Sequence, residues 1–567
     1  MRWLLRAGAL LCSILVATGL AQRGQFDRSE VNPHDEAIVF TPAGFDRPGV
    51  PRSVSPAEAA TLVVRVVDVA TRQPIPCRLN VVGPDGNFYQ PTTNALSSFS
   101  LIGRWPDTGA GNREGKAPIR YFGRFFYTTG GCQVRVPPGE CRIEASRGLE
   151  YAPVTVTVHA STEHTTNVLI ELKQTIDARE FGYYSGDPHL HFPRLSDADD
   201  DPIFALLSAE LVRFGIVMCY NETDAYAGSM STLVMPQRRL GRSSLAVRDG
   251  YHLISGQEYR NGVYGHINLF LRDRLVLEGE SLDPNRWPVF GIVGAETLQH
   301  GGYAIHAHGG YAQEIYSDVV QRATTGVELL QFGIYRGIGL AGWYHILNAG
   351  YRFPAVGASD YPACRKLSDC QTFVQIDGEP TFERWLDGMA RGRSFVTTGP
   401  ILLLTVDDQS PGGRIDRSGN GPHMLTARIR VRSEAAPVTH VQLVVNGQVV
   451  EELVVDCQKG HGQWLQITKE LTVCESSWIA ARAFSVSATG SPDAESHTNP
   501  VFVYLNGRAP YREADLDWLA AQITTFVADQ QARNFPEREQ VVAYHQQSLQ
   551  SVQEIRRAGG QPAPDKP

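Results

Sequence analysis

The apolar pattern of this chain changes character twice, and those two changes constrain the fold more than any other feature. Between 59 and 175, short β-branched runs at 61–69, 77–82, 131–136 and 154–158 alternate with turn chemistry at Pro84-Asp85-Gly86 and Pro137-Pro138-Gly139. That texture predicts an antiparallel β-sandwich. From 179 to 400 apolar strands follow helical stretches, as where 205–212 leads into 215–220, which predicts a parallel α/β unit of barrel type. From 401 to 505 strand patterning returns, with a hairpin over 441–450 whose Asn446-Gly447 pair suits a two-residue turn. A second β-sandwich is expected there. Over 506–558 the spacing of Leu516, Leu519, Ile523 and Phe526, then of Val541, Tyr544, Val552 and Ile555, predicts two helices packed back on the body. Residues 559–567 read as a disordered tail.

The start of the chain reads as an export signal. Arg2 and Arg6 precede the apolar run 7–17, and Thr18-Gly19-Leu20-Ala21 offers small residues for cleavage after Ala21. The run is shorter than the roughly 20 residues that span a bilayer. The mature chain is therefore expected in the periplasm or outside the cell, with no stable membrane span and an extended arm over 22–58. Eight cysteines remain beyond Cys12, and in an exported chain the local pairs Cys132/Cys141, Cys364/Cys370 and Cys457/Cys474 are the simplest disulfide candidates. The formal charge of −8 gives no basic surplus for a nucleic-acid backbone, so no nucleic-acid partner is expected.

Chemistry concentrates between 185 and 360. His189 and His191 in Ser185-Gly186-Asp187-Pro188-His189-Leu190-His191 are two apart, so in a strand both point to one side and can converge on a metal ion. Downstream come Glu258, His266, His306 and His308 in Ala304-Ile305-His306-Ala307-His308, and Asp360 in Gly357-Ala358-Ser359-Asp360. Histidines gathered with carboxylates suit a divalent ion, which needs several nitrogen and oxygen donors at about 2.0–2.2 Å.

The order and spacing of these residues resemble the PHP (polymerase and histidinol phosphatase) superfamily, and specifically exported CehA/McbA-type metallohydrolases, in which a β-sandwich precedes the barrel. Trp343-Tyr344-His345 leading into Ser359-Asp360, and Arg391-Gly392-Arg393-Ser394-Phe395, are further matches. The resemblance implies a distorted (β/α)7 barrel flanked by two β-sandwiches. It implies His189 and His191 as ligands of a first metal, Glu258 as the bridging carboxylate, His266 and His308 as ligands of a second, and Asp360 as closing ligand and catalytic base alongside Glu258. Asp187 is expected beside a ligand histidine, fixing its tautomer, with His306 in a similar supporting place. Two departures stand out: Asn221-Glu222-Thr223-Asp224 replaces the family's Thr-Asp-His, and Pro362 replaces a further histidine. Both missing histidines serve a third metal, so one or two ions are expected, zinc or manganese first and iron as an alternative. Glu222 and Asp224 stand as further oxygen donors or as loop acids.

The expected activity is hydrolysis of an ester, carbamate, amide or phosphoester bond in a small-molecule or glycan-like substrate. A non-catalytic exported protein that binds carbohydrate or a surface, with a degenerate barrel, is the other reading.

Overall fold

The computed structural model of the protein describes residues 54–55, 58–101, 124–221, 233–276, 285–311, 314–363, 366–419, 421–434, 436–486 and 492–559. The expected signal at 1–21, nearly all of the arm and the tail beyond 559 lie outside the described residues.

Seven strands build the first unit: β1 (Ala60–Asp68), β2 (Cys77–Val82), β3 (Phe126–Thr128), β4 (Gly131–Val136), β5 (Gly139–Ser146), β6 (Val154–Ala160) and β7 (Thr166–Leu172). They form two facing sheets, β4-β1-β7 and β3-β2-β5-β6. The alternation along each strand decides the faces: Leu62, Val64 and Val66 meet Leu79, Val81 and Ile143 in one buried cluster. One pair departs from the antiparallel expectation, since β1 and β7 run parallel.

The middle of the chain overturns the (β/α)7 barrel. Strand accounts for 41% of the described residues and helix for 22%. Twelve strands fall here: β8 (Tyr183–Leu190), β9 (Phe214–Asn221), β10 (Leu233–Val234), β11 (Gly241–Arg248), β12 (Tyr251–Asn261), β13 (Gly265–Phe270), β14 (Tyr303–His306), β15 (Gly326–Gln331), β16 (Ile334–Tyr335), β17 (Ala355–Gly357), β18 (Gln371–Gln375) and β19 (Ser394–Thr397). Among the described residues only five α-helices accompany them: α1 (Asp200–Glu210), α2 (Phe290–Gln299), α3 (Ile315–Gln321), α4 (Gly339–Asn348) and α5 (Phe382–Ala390). Strands β8, β9 and β12 lie parallel, as do β14, β15 and β17. The steps β11 to β12 to β13 to β14 are antiparallel, and so are β18 with β8 and with β19. A strict strand-helix repeat cannot produce those hairpins. Asp249 and Gly250 both take positive φ in the β11–β12 turn, the conformation a two-residue hairpin needs. The sequence misled because β12 and β13 are buried on both faces, so they lack the alternation that marks most antiparallel strands.

Gly186 of β8 shows how tightly this unit packs. A β-carbon there would fall inside the indole of fully buried Trp385 on α5, whose ring N–H donates to the Tyr184 carbonyl at 3.1 Å. Gly186→Ala is expected to cost about 1–3 kcal/mol through overpacking. Urea denaturation measures it, and an unchanged midpoint would show that Trp385 can move aside.

Nine further strands follow: β20 (Ile401–Val406), β21 (Arg414–Arg417), β22 (His423–Arg432), β23 (His440–Val445), β24 (Gln448–Val454), β25 (Leu465–Val473), β26 (Ser477–Val486), β27 (Pro492–Thr498) and β28 (Val501–Leu505). The sheet β20-β22-β25 faces β23, β26 and their neighbours across a core that includes Leu404, Ile429, Leu443 and Ile479. Asn446 and Gly447, at φ +50° and +83°, close the β23–β24 hairpin. Because β27 pairs with β19, this sheet is hydrogen-bonded to the middle unit.

Helices α6 (Glu513–Ala532) and α7 (Arg538–Arg557) end the described chain. Leu516, Leu519, Ile523, Val552 and Ile555 pack in one buried cluster with Trp343 and Ile346 of α4. No helix of the described residues is long and apolar enough to cross a membrane. The seven described cysteines beyond Cys12 are all thiols, so neither Cys132/Cys141 nor Cys457/Cys474 is bridged. Cys132 lies on β4 and Cys141 on β5, in opposite sheets. Cys364 lies outside the described residues.

Candidate metal centre

The strand period brings the donors together. At the end of β8 the even spacing turns His189, and His191 just beyond the strand, to one side while Leu190 packs with Phe192, Leu206 and Val217. On β12 the same period puts Glu258 and Arg260 on one face. Their partners on β13 are Asn268 opposite Glu258 and His266 opposite Arg260, and paired residues share a face. His308 follows β14 and Asp360 follows β17. Both hold positive φ, +53° and +56°. Two non-glycine residues in that region cost about 1–3 kcal/mol each, and such strain gathers at functional sites.

The six expected donors form one buried, continuous set. His189 Nε2 stands 3.0 Å from His191 Nε2, 3.5 Å from Glu258 Oε2 and 3.3 Å from Asp360 Oδ1. His191 Nε2 is 3.4 Å from Glu258 Oε2 and 3.1 Å from Asp360 Oδ1. Four donors placed tetrahedrally about 2.0–2.2 Å from an ion are separated by about 3.3–3.6 Å. Five of the six edges of such a tetrahedron are therefore present, slightly contracted. The second group uses the other Glu258 oxygen: Oε1 is 2.8 Å from His266 Nδ1 and 3.1 Å from His308 Nε2, and those nitrogens are 2.9 Å apart. Buried groups of His189, His191 and Glu258, and of Glu258, His266 and His308, can thus each hold a metal ion.

Tautomers support the fit. His191 Nδ1 faces the Met218 carbonyl at 3.1 Å, which only accepts, so Nδ1 carries the proton and Nε2 a lone pair. His189 Nδ1 faces both oxygens of Glu328, at 2.9 and 3.0 Å, and likewise donates. His308 Nδ1 donates to Gln331 Oε1 at 2.8 Å, an oxygen oriented by Arg336. Two bare Nε2 lone pairs cannot face each other at 3.0 Å, so His189 and His191 call for a cation between them, either a proton or a metal ion. The field there favours one. Burial works against a charge on His189, yet the carboxylates of Glu328, Asp360 and Glu258 pull its pKa well above the ordinary histidine value. Burial, with the charges of His308 and Arg260 adding to it, holds His266 down to about 3 against the pull of Glu258, so it stays neutral and able to ligate. Glu258 is buried, which would raise its pKa, but Arg260, His189 and His266 hold it well below the usual carboxylate range.

Two expected supporting roles are corrected. Asp187 is bonded to backbone and hydroxyl groups: its Oδ1 accepts from the backbone N–H of Ser359 at 3.1 Å and of His189 at 3.3 Å, and its Oδ2 accepts from the Ser368 hydroxyl at 2.9 Å. It holds backbone, and burial pushes it up to about 6 against those hydrogen bonds. His306 bonds Asp318 at 2.8 Å. It sits opposite Ile267 in the β13–β14 ladder, so it takes the face of Ile267 and points away from His266. Glu222 and Asp224 lie outside the described residues.

Three supporting groups were not anticipated. Glu328 of β15 holds His189 and accepts from the Asn268 side-chain amide; a lone acid within the apolar run 327–330 was its only sequence signal. Gln331 holds His308. Arg260 binds Glu258 Oε2 through Nε at 2.8 Å and Nη2 at 2.7 Å, with its face 3.5 Å over Tyr220. Tyr220 in turn packs edge-on to His191.

Glu328→Gln removes the charge that sustains His189 as a donor. Affinity for a divalent ion is expected to fall about 10–100-fold. Competition with a chromogenic chelator reads this directly, and an unaltered affinity would remove Glu328 from the support of His189.

No family model matches the chain, and no curated protein does. Among solved structures it is similar to PsfC from Pseudomonas syringae at 15% identity, over 38% of this chain and 90% of that one, with a TM-score of 0.26.

Proposed function

We propose that the protein is an exported metal-dependent hydrolase using one or two divalent ions, zinc, manganese or iron. The observation that carries this reading is the buried convergence of His189 Nε2, His191 Nε2, Glu258 Oε2 and Asp360 Oδ1, tied through Glu258 to a second three-donor group. The resemblance of the motifs to exported CehA/McbA-type metallohydrolases supports it. Bound divalent ions supply Lewis acidity at the scissile bond and bring the pKa of water near neutrality.

The chain's own groups define the rest. Glu258 presents one oxygen to each half of the site, so it sets their separation. Asp360 turns Oδ1 toward His189 and His191, and its carboxylate takes the proton from the attacking water. Glu328 and Gln331 keep the imidazoles in the tautomer that leaves Nε2 unprotonated. Arg260 keeps Glu258 ionised and adds a fixed positive charge where negative charge builds up. The substrate class is an ester, carbamate, amide or phosphoester, small or glycan-like. The test is metal analysis of protein prepared without chelator, followed by a panel of aryl esters, carbamates and phosphoesters before and after metal removal. Activity that survives in the His189→Ala, Glu258→Ala double variant would sink the hydrolase reading, and metal-free protein would favour a binding role.

A further inference from the structure

A buried ionic knot lies apart from the histidines, where the first sandwich meets the middle unit. Glu210, at the end of α1 and fully buried, is in ion-pair contact with Arg78 of β2 at 2.6 Å and with Lys366 at 3.4 Å. It also accepts from the Tyr127 hydroxyl of β3 at 2.8 Å. Lys366, itself nearly inaccessible, donates through Nζ to the Ser368 carbonyl at 3.1 Å. The Ser368 hydroxyl then bonds Asp187, whose other oxygen holds the N–H groups of Ser359 and His189. An unbroken run of contacts therefore leads from strands of the sandwich to the backbone of one donor and to the residue preceding another, Asp360.

The energetics make this knot conditional on all its members. A buried charge is tolerated only when its partners are in place, and losing one partner leaves the others uncompensated. Arg78 and Tyr127 come from the sandwich, Glu210 from α1, and Lys366 from the segment that also carries Asp360. Docking of the sandwich and ordering of that segment thus satisfy the same charges.

We infer that the N-terminal sandwich is a positioning module for the metal centre, with Glu210, Lys366 and Ser368 as positioning residues that act through Asp187 on the His189/Asp360 side. This rests on the reading that those donors hold a divalent ion. Two consequences separate it from a purely architectural contact. The effect falls on the half of the site built by His189, His191 and Asp360, because the run ends on the backbone N–H groups of His189 and of Ser359, next to Asp360. The links also lie in series, so breaking a second one adds little.

The test is cobalt(II) titration of the metal-stripped full chain, followed by visible absorption, in wild type, Ser368→Ala, Lys366→Met and the double variant. Each single change is expected to weaken one of two cobalt-binding steps by about 10–100-fold and leave the other unaltered, with the double variant no weaker than the worse single one. Lys366→Arg is expected to restore binding. Ser368 stands at φ +57°, a conformation that serine and alanine bear alike, so that variant isolates the hydroxyl. Unchanged steps, equal loss in both, or effects that multiply would overturn the inference. Should Lys366→Met fail to fold, Ser368→Ala decides alone. A wild type that takes up no cobalt would refute the metal reading instead. Amide hydrogen exchange at Ser359 and His189 then judges the link: faster exchange in Ser368→Ala supports it, and equal exchange refutes it.

Discussion

Glu258→Ala is expected to empty both halves of the metal centre and to lower hydrolysis on the order of a thousandfold or more. The two Glu258 oxygens serve different partners, Oε2 with His189 and His191 and Oε1 with His266 and His308. Losing this one side chain therefore removes a donor from each group, whereas His266→Ala removes a donor from one only. Metal content of the purified variants measures the difference: neither ion in Glu258→Ala, and retention of the first in His266→Ala. The change also strands Arg260, 2% exposed and bonded to Glu258 by two nitrogens. An uncompensated buried guanidinium costs about 3–5 kcal/mol. Glu258→Gln keeps the volume and one acceptor, so it separates lost ligation from lost stability. A folded Glu258→Gln protein with its full complement of metal would sink the bridging role.

In the metal-free protein two histidines outside the site are expected to lower stability as pH falls below about 6.5. His497 is fully buried, and its Nδ1 donates to the Thr498 carbonyl while its Nε2 accepts from the Tyr344 hydroxyl at 2.7 Å. Both nitrogens are used by the neutral ring, so a second proton would reverse the Tyr344 bond and send its hydroxyl proton in search of another acceptor. His545 of α7 is likewise buried, against Phe526, with Nδ1 bonded to the Ser317 hydroxyl at 2.8 Å. Burial pushes both down to about 3 from the ordinary value of 6.5. Between about 6.5 and 3 the unfolded chain binds these two protons and the folded chain does not, so stability falls as pH falls. Each histidine contributes about 1.4 kcal/mol per pH unit, and the pair about 2.7. Over part of that window Asp187, pushed up to about 6, and Glu150, pushed up to about 7, take up protons in the folded chain before the unfolded one, so they oppose the two histidines. Urea denaturation at a series of pH values gives the slope. His545→Leu should remove the contribution of that one histidine, and a slope unaffected by the change would take His545 out of the acid response.

What could be read from the chain alone followed from short-range geometry. Residues two apart in a strand share a face whatever surrounds them, so His189 and His191 were bound to converge, and Asn446-Gly447 could close a hairpin because both residues accept positive φ. Spacings of three and four over 516–526 and 541–555 specified helices with one apolar side for the same local reason.

Relations between distant segments were decided only by the tertiary structure. Strands β12 and β13, buried on both faces, carry no alternation, so their antiparallel pairing could not be told from the parallel order of an α/β repeat. His306 and His308 are chemically alike in sequence. Register opposite Ile267 turns one outward to Asp318, and a left-handed backbone turns the other inward to Glu258. Glu328 reads as one acid in an apolar run until β15 is laid in place and its carboxylate meets His189, 139 residues away in sequence. Asp187 lies beside a donor in sequence yet supports backbone, and through Ser368 and Lys366 it joins a sandwich that no local pattern ties to the metal centre. Spacing along a strand is set by the covalent geometry of the chain and survives any packing. Which strand lies opposite, and in what register, depends on burying all faces together, and that is a property of the whole fold.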